Sequence, residues 1–124
     1  MITIQDFSTH PSTAVEAAPG LWRTSLQQYD LSVPGREMIQ VRVDIDPDSP
    51  PIRHFHHGEE IIYVLAGSLE YQIDGQPVKV YHAGEALTVP AEVIHAVRNV
   101  GTGNATELAT YVAEKGKPLL TVAE

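Results

Sequence analysis

A chain of 124 residues has room for one domain, and without a single cysteine it has no disulfides, no thiol nucleophile and no thiolate ligands, so a metal would have to be held by imidazole and carboxylate. Eight Lys and Arg against sixteen Asp and Glu give a formal charge of −8, with the positive residues scattered singly. Such a surface repels phosphate backbones, so no nucleic-acid partner is expected. No apolar stretch approaches the roughly 20 residues that cross a bilayer, and no charged leader precedes an apolar run; the expectation is a soluble, cytoplasmic protein with no membrane partner.

The elements follow in short, β-rich steps. Residues 1–20 carry the loop signals His10-Pro11-Ser12 and Ala18-Pro19-Gly20 and read as an N-terminal arm, with a weak helical stretch over Thr13 to Ala18. A strand is predicted from Leu21 to Leu31 and, after a turn at Val33 to Arg36, another from Glu37 to Ile45. There Ile39, Val41, Val43 and Ile45 alternate with Met38, Gln40, Arg42 and Asp44, which leaves open which set faces inward. Beyond the Pro-rich link Asp46 to Pro51, Arg53 to His57 leads through a tight turn into Glu60 to Leu65, an apolar run predicted to be buried on both sides. Ser68 to Ile73 and Gln76 to Tyr81 flank Asp74-Gly75, the pair favoured by a type I′ hairpin turn. Ala86 to Val89, Val93 to Val100 and Ala105 to Ala113 complete the strands, and residues 114–124 read as a C-terminal tail. Short strands at this spacing predict an all-β barrel or sandwich over residues 21–113.

The segment Arg53-His54-Phe55-His56-His57-Gly58-Glu59-Glu60 carries the chemistry. Residues i and i+2 of a strand share a side, so His54 and His56 project together, and after the turn Glu60 opens the neighbouring strand within reach of the same space. By the same parity His57 and Glu59 face away. His95 lies in an apolar strand, Val93-Ile94-His95-Ala96-Val97, where its imidazole needs a partner. Taken alone, His95 suits a hydrogen-bonded core residue as well as a ligand, and the His-x-His pair suits a solvated strand face as well as a metal site.

Both segments resemble the two motifs of the cupin superfamily. His54, His56, Glu60 and Gly67 fall on G-x5-H-x-H-x3-E-x6-G, and Gly84, Pro90, His95 and Asn99 fall on G-x5-P-x-G-x2-H-x3-N, with sixteen residues between the two. The resemblance implies a small single-domain cupin jelly-roll β-barrel (double-stranded β-helix) with His54, His56, Glu60 and His95 as ligands to one divalent transition-metal ion. Three imidazoles and a carboxylate suit Fe, Mn, Ni, Co or Zn. Asp48 replaces the first motif's leading glycine, where a rerouted turn is expected. Glu92 replaces the glycine of the Pro-x-Gly corner, so either that turn has another shape or His95 is displaced.

Gln40, Arg42, Tyr63, Gln72, Arg98 and Tyr111 are the candidates for lining a small-molecule pocket, His10 and His82 read as solvated, and Trp22 reads as core or interface. No Gly-x-Ser-x-Gly elbow, phosphate loop or dinucleotide fingerprint occurs. The functional expectation is a metal-dependent enzyme on a small organic molecule, dioxygenase-type first, with isomerase or decarboxylase chemistry and a non-catalytic sugar- or metabolite-binding barrel as alternatives. A homodimer is expected, with the arm of residues 1–20 as the candidate for exchange between subunits.

Overall fold

Alternation along each strand decides the architecture. Val41, Val43 and Ile45 turn inward at 4% exposure or less, and Ile62, Val64, Leu69, Tyr71, Ala109 and Tyr111 meet them from other strands. Each large aliphatic chain so buried contributes roughly 1.5–3 kcal/mol. The computed structural model describes residues 6–123, and among them are eleven strands and no helix. They are β1 (Val15–Ala18), β2 (Leu21–Asp30), β3 (Arg36–Ile45), β4 (His54–Phe55), β5 (Glu60–Ala66), β6 (Ser68–Ile73), β7 (Lys79–His82), β8 (Ala86–Val89), β9 (His95–Asn99), β10 (Ala105–Glu114) and β11 (Thr121–Val122). One sheet runs β1-β2-β3-β10-β5-β8 and the other β11-β4-β9-β6-β7. Every pairing is antiparallel. This is the all-β jelly roll that the strand pattern and the motif resemblance predict.

The structure departs from expectation at five places. The weak helical stretch is strand β1, paired with β2, because an edge strand open for pairing outweighs a small local preference. In the tail, Thr121 and Val122 pair with Phe55 and His54, so the tail's end belongs to the second sheet. The run from Glu60 is not buried on both faces: Ile61 and Tyr63 are 48% and 46% exposed, and only Glu60, Ile62 and Val64 turn inward. At Asp74-Gly75 a turn closes from Gln76 N–H to the Ile73 carbonyl, but only Gly75 has a positive φ, which fits a type II turn and not type I′. The β6–β7 ladder accordingly stops at Tyr71 and Lys79. The arm, finally, is partly bound to its own barrel. Arg42 donates to the carbonyls of Asp6 and Thr9 and stacks over Phe7, while Asn104 donates to the Phe7 carbonyl. The first five residues of the expected arm lie outside those described.

Beneath the arm lies a polar knot on the outer side of β3 and β10. Asp44 is fully buried and accepts from Arg42 Nε and Nη2, the Thr106 hydroxyl and Asn104 Nδ2.

Candidate metal centre

Strand pairing brings the site's residues together before any side chain is considered. His54 on β4 stands directly opposite His95 on β9, and Glu60 at the head of β5 stands between Tyr111 and Val89. The reversal from His56 to Glu60 needs Gly58, since a Cβ there would sit 1.7 Å from the Val112 carbonyl oxygen. His54, His56, Glu60 and His95 each present one ligand atom, all within 4.8 Å of one another. His56, Glu60 and His95 are 4%, 4% and 2% exposed.

Hydrogen bonding fixes what those atoms can do. Nδ1 of His54 meets the Ile52 carbonyl at 2.8 Å, that of His56 the Leu119 carbonyl at 2.8 Å, and that of His95 the Val93 carbonyl at 3.0 Å. A carbonyl only accepts, so each Nδ1 carries the proton and each neutral ring keeps its Nε2 lone pair for the shared space. Anchoring one ring nitrogen to a carbonyl is the usual way to aim the other at a metal. Nε2 of His56 and of His95 both lie 3.2 Å from Glu60 Oε1. The His56 nitrogen is off the angle for a hydrogen bond and has no other partner among the described residues. Lone pairs crowding a buried carboxylate repel unless positive charge sits between them, so the donor set fits a divalent cation. Burial pulls the His54 imidazolium pKa down to about 4, against the pull of the Ile52 hydrogen bond, which keeps the ring in its ligating form at neutral pH.

The two departures from the motifs resolve differently. Around Asp48 the chain turns through a Ser49 N–H to Asp46 carbonyl bond without positive φ at Asp48, so no glycine is required there. Glu92 does adopt a positive φ, 67°. The corner therefore keeps the glycine shape with a glutamate in it, and His95 is not displaced. The Glu92 N–H donates to the His56 carbonyl, and its carboxylate meets Nδ1 of His57 at 2.9 Å on the outside of the barrel. Because left-handed backbone strains a residue with a Cβ by about 1 kcal/mol or more, Glu92→Gly is expected to raise the thermal midpoint by roughly 4 °C with metal content unchanged. Differential scanning calorimetry with elemental analysis checks both halves.

A cavity of about 370 Å³ opens above the cluster and touches His54, Glu60 and His95. Leu21, Val43, Ile52, Val97, Leu119 and Leu120 make its walls apolar; Arg23, Tyr71, Glu107 and Tyr111 are its other polar lining. Of the six pocket candidates only Tyr111 lines this space, its ring 4.8 Å from that of His56. The other five have the wrong strand parity. Gln40 bonds Gln27 and Thr110 on the outer face, and Arg42 is locked to Asp44. Tyr63 and Gln72 are exposed, and Arg98 pairs with Glu70 at the surface. His57 and Glu59 face away, as predicted, and His82 is exposed. His10 is not free in solvent but stacks on Trp22 at 3.9 Å.

Three cavity residues escaped the sequence reading: Arg23, Tyr71 and Glu107. The available signal was parity, since Glu107 shares its side of β10 with Ala105, Ala109 and Tyr111, and Arg23 shares its side of β2 with Leu21. Arg23 Nη1 donates to the Tyr111 hydroxyl at 3.3 Å, and the Tyr71 hydroxyl donates to Glu107 Oε1 at 2.5 Å. Burial first, then the negative charge of Glu107 and Glu60, raises the Tyr71 pKa; burial and then Glu60 raise that of Tyr111, so both stay as O–H donors.

In this two-sheet antiparallel barrel three imidazoles and a carboxylate that could hold a metal ion converge beneath an apolar cavity. Residues 41–111 match the Cupin domain family, and the chain belongs to it. The chain is 39% identical over 49 residues to a Streptomyces cyaneus protein named polyketide synthase CurC, a match spanning 39% of this chain and 31% of that one. A cupin-like protein of Thermotoga maritima superposes with a TM-score of 0.69 at 18% identity, over 99% of this chain and 89% of that one. Lactobacillus farciminis oxalate decarboxylase superposes with a TM-score of 0.68 at 16% identity, over 88% of this chain and 32% of its own. The chain thus spans about a third of the length of the Streptomyces protein and of the decarboxylase.

Proposed function

We propose that this cupin is a metal-dependent enzyme acting on a small organic molecule, with dioxygenase-type oxidation as its reaction. The observation that carries the reading is the convergence of three carbonyl-anchored imidazoles and Glu60 on one point at the floor of an apolar cavity. An ion held there by His54, His56, Glu60 and His95 would supply Lewis-acid chemistry at the floor of the cavity. The chain's own residues do the remainder: Leu21, Val43, Val97 and Leu119 exclude water, while Arg23 and Tyr111 orient an oxygen of the ligand.

A second reading, isomerisation or decarboxylation without net oxidation, is favoured by Glu107, a buried carboxyl on the cavity wall. Protein purified without an affinity tag and loaded in turn with Fe(II), Mn(II), Ni(II), Co(II) or Zn(II) separates the readings. A panel of β-diketones, catechols, flavonols and dicarboxylates is followed by oxygen electrode and product mass. Oxygen uptake that depends on the ion supports the dioxygenase; carbon dioxide or an isomer without uptake supports the second reading. Bound metal without turnover leaves a barrel that only binds a sugar or other metabolite. The same proposal includes cytoplasmic residence and a homodimer, and a monomeric mass in solution scattering would overturn the latter.

A further inference from the structure

Besides Glu60, Glu107 is the only carboxyl group among the described residues that lines the cavity. It is 2% exposed, and it sits between the inward-facing Ala105 and Ala109, whose small side chains leave it room. Its one hydrogen bond among the described residues comes from Tyr71, across the barrel on β6, to Oε1. The guanidinium in the cavity, Arg23 on β2, is bonded to Tyr111 instead. A carboxylate taken from water with a single neutral donor and no bonded cation is strongly disfavoured, so the group holds its proton. Burial, and next the negative charge of Glu60 on β5, pushes it up to about 8 against the opposing influence of Tyr71 and Arg23. Tyr71 occupies Oε1, so the proton belongs on Oε2, which has no partner among the described residues.

We propose that Glu107 is the acid–base residue of this cavity, passing a proton between its Oε2 and an organic anion held above His54, Glu60 and His95. The inference takes a ligand in the cavity from the proposed function and adds its class. Apart from the metal ligands, and with the Tyr71 hydroxyl taken up by Glu107, the polar lining offers donors: the Arg23 guanidinium, the Tyr111 hydroxyl, whose hydrogen stays free when its oxygen accepts from Arg23, and Glu107 itself. With the walls apolar, that lining fits a carboxylate or enolate oxygen on a largely apolar body. In the forward step the Glu107 O–H bond breaks as its proton adds to the enolate carbon or oxygen of the ligand. The electron pair stays on Glu107 as a carboxylate that keeps the Tyr71 hydrogen bond and feels Arg23, and the reverse transfer restores the acid. No oxidant enters, so the role is compatible with both reaction readings.

Glu107→Gln keeps the shape, an acceptor for Tyr71 and an N–H donor, but has no proton to transfer. The first test is infrared spectroscopy of the purified protein, which needs no turnover and so stands even if the enzymatic reading fails. The carbonyl band of a neutral carboxylic acid is expected in the wild type at pH 6, fading as the pH passes about 8, and absent in Glu107→Gln. Absence of that band from the wild type at pH 6 overturns the proposal. The second test uses phenylpyruvate, a carboxylate with an enolisable carbon and an apolar body. The variant is expected to bind it within about threefold of the wild type and to carry the same metal, while exchange of its C3 hydrogen for deuterium falls about 100-fold or more. Exchange equal to the wild-type rate in the variant overturns the proposal as well.

Discussion

His56→Ala is expected to reduce bound metal to background, with an affinity loss of at least about 100-fold, whereas His57→Ala leaves metal content unchanged. Weakening the outer partners of a metal-bound histidine already costs 10–100-fold, and removal of the ligand itself costs more. His56 is the sharpest test because its Nε2 is buried and unpartnered while its Nδ1 is fixed to the Leu119 carbonyl. Its neighbour in sequence points the other way and meets Glu92 at the surface. Elemental analysis and a competition titration with a colorimetric chelator read the difference. Equal losses in the two variants would remove the basis for the metal centre.

The largest effect on stability is expected from Asp44→Ala, about 3–5 kcal/mol, or roughly 10–20 °C in the thermal midpoint. The loss arises less from the missing attraction than from what remains: Arg42, 4% exposed, would keep its charge beneath the arm with only carbonyls to bond. The double variant Arg42→Met, Asp44→Leu is expected to recover most of the loss, because it removes both charges and fills their volume. Urea unfolding of the single and double variants gives the comparison. The knot lies on the outer face, so metal content should not follow stability. A double variant no more stable than Asp44→Ala would show that the pair is not the source of the loss.

Much of the fold was legible because period-two patterning and turn residues are local signals. Gly67, Gly84 and the His-x-His spacing fix where chain and ligands turn, and strand alternation alone separated His54 and His56 from His57. What the sequence hid was chiefly non-local. The inward face of β3 could not be chosen from its own alternation, since Gln40, Arg42 and Asp44 are as regularly spaced as Val41, Val43 and Ile45. The choice depends on the arm that covers Arg42 and on the strands facing Val43. Ile61 and Tyr63 concealed the alternation of β5 because apolar residues also occupy its solvent face. Glu107 reads as a surface charge until Ala105, Ala109 and Tyr111 are seen to share its side. The pairing that makes it a buried acid reaches back 36 residues to Tyr71.

The bond between His56 and Leu119 ties the ligand set to the last stretch of the chain, which also closes a wall of the cavity through Leu119, Leu120 and Val122. By thermodynamic reciprocity, docking of β11 against β4 and capture of the proposed ion would favour one another to the same degree. Anything that prises the C-terminal strand loose, whether a fused peptide or a partner competing for that edge, would therefore lower the hold on the cation from a distance.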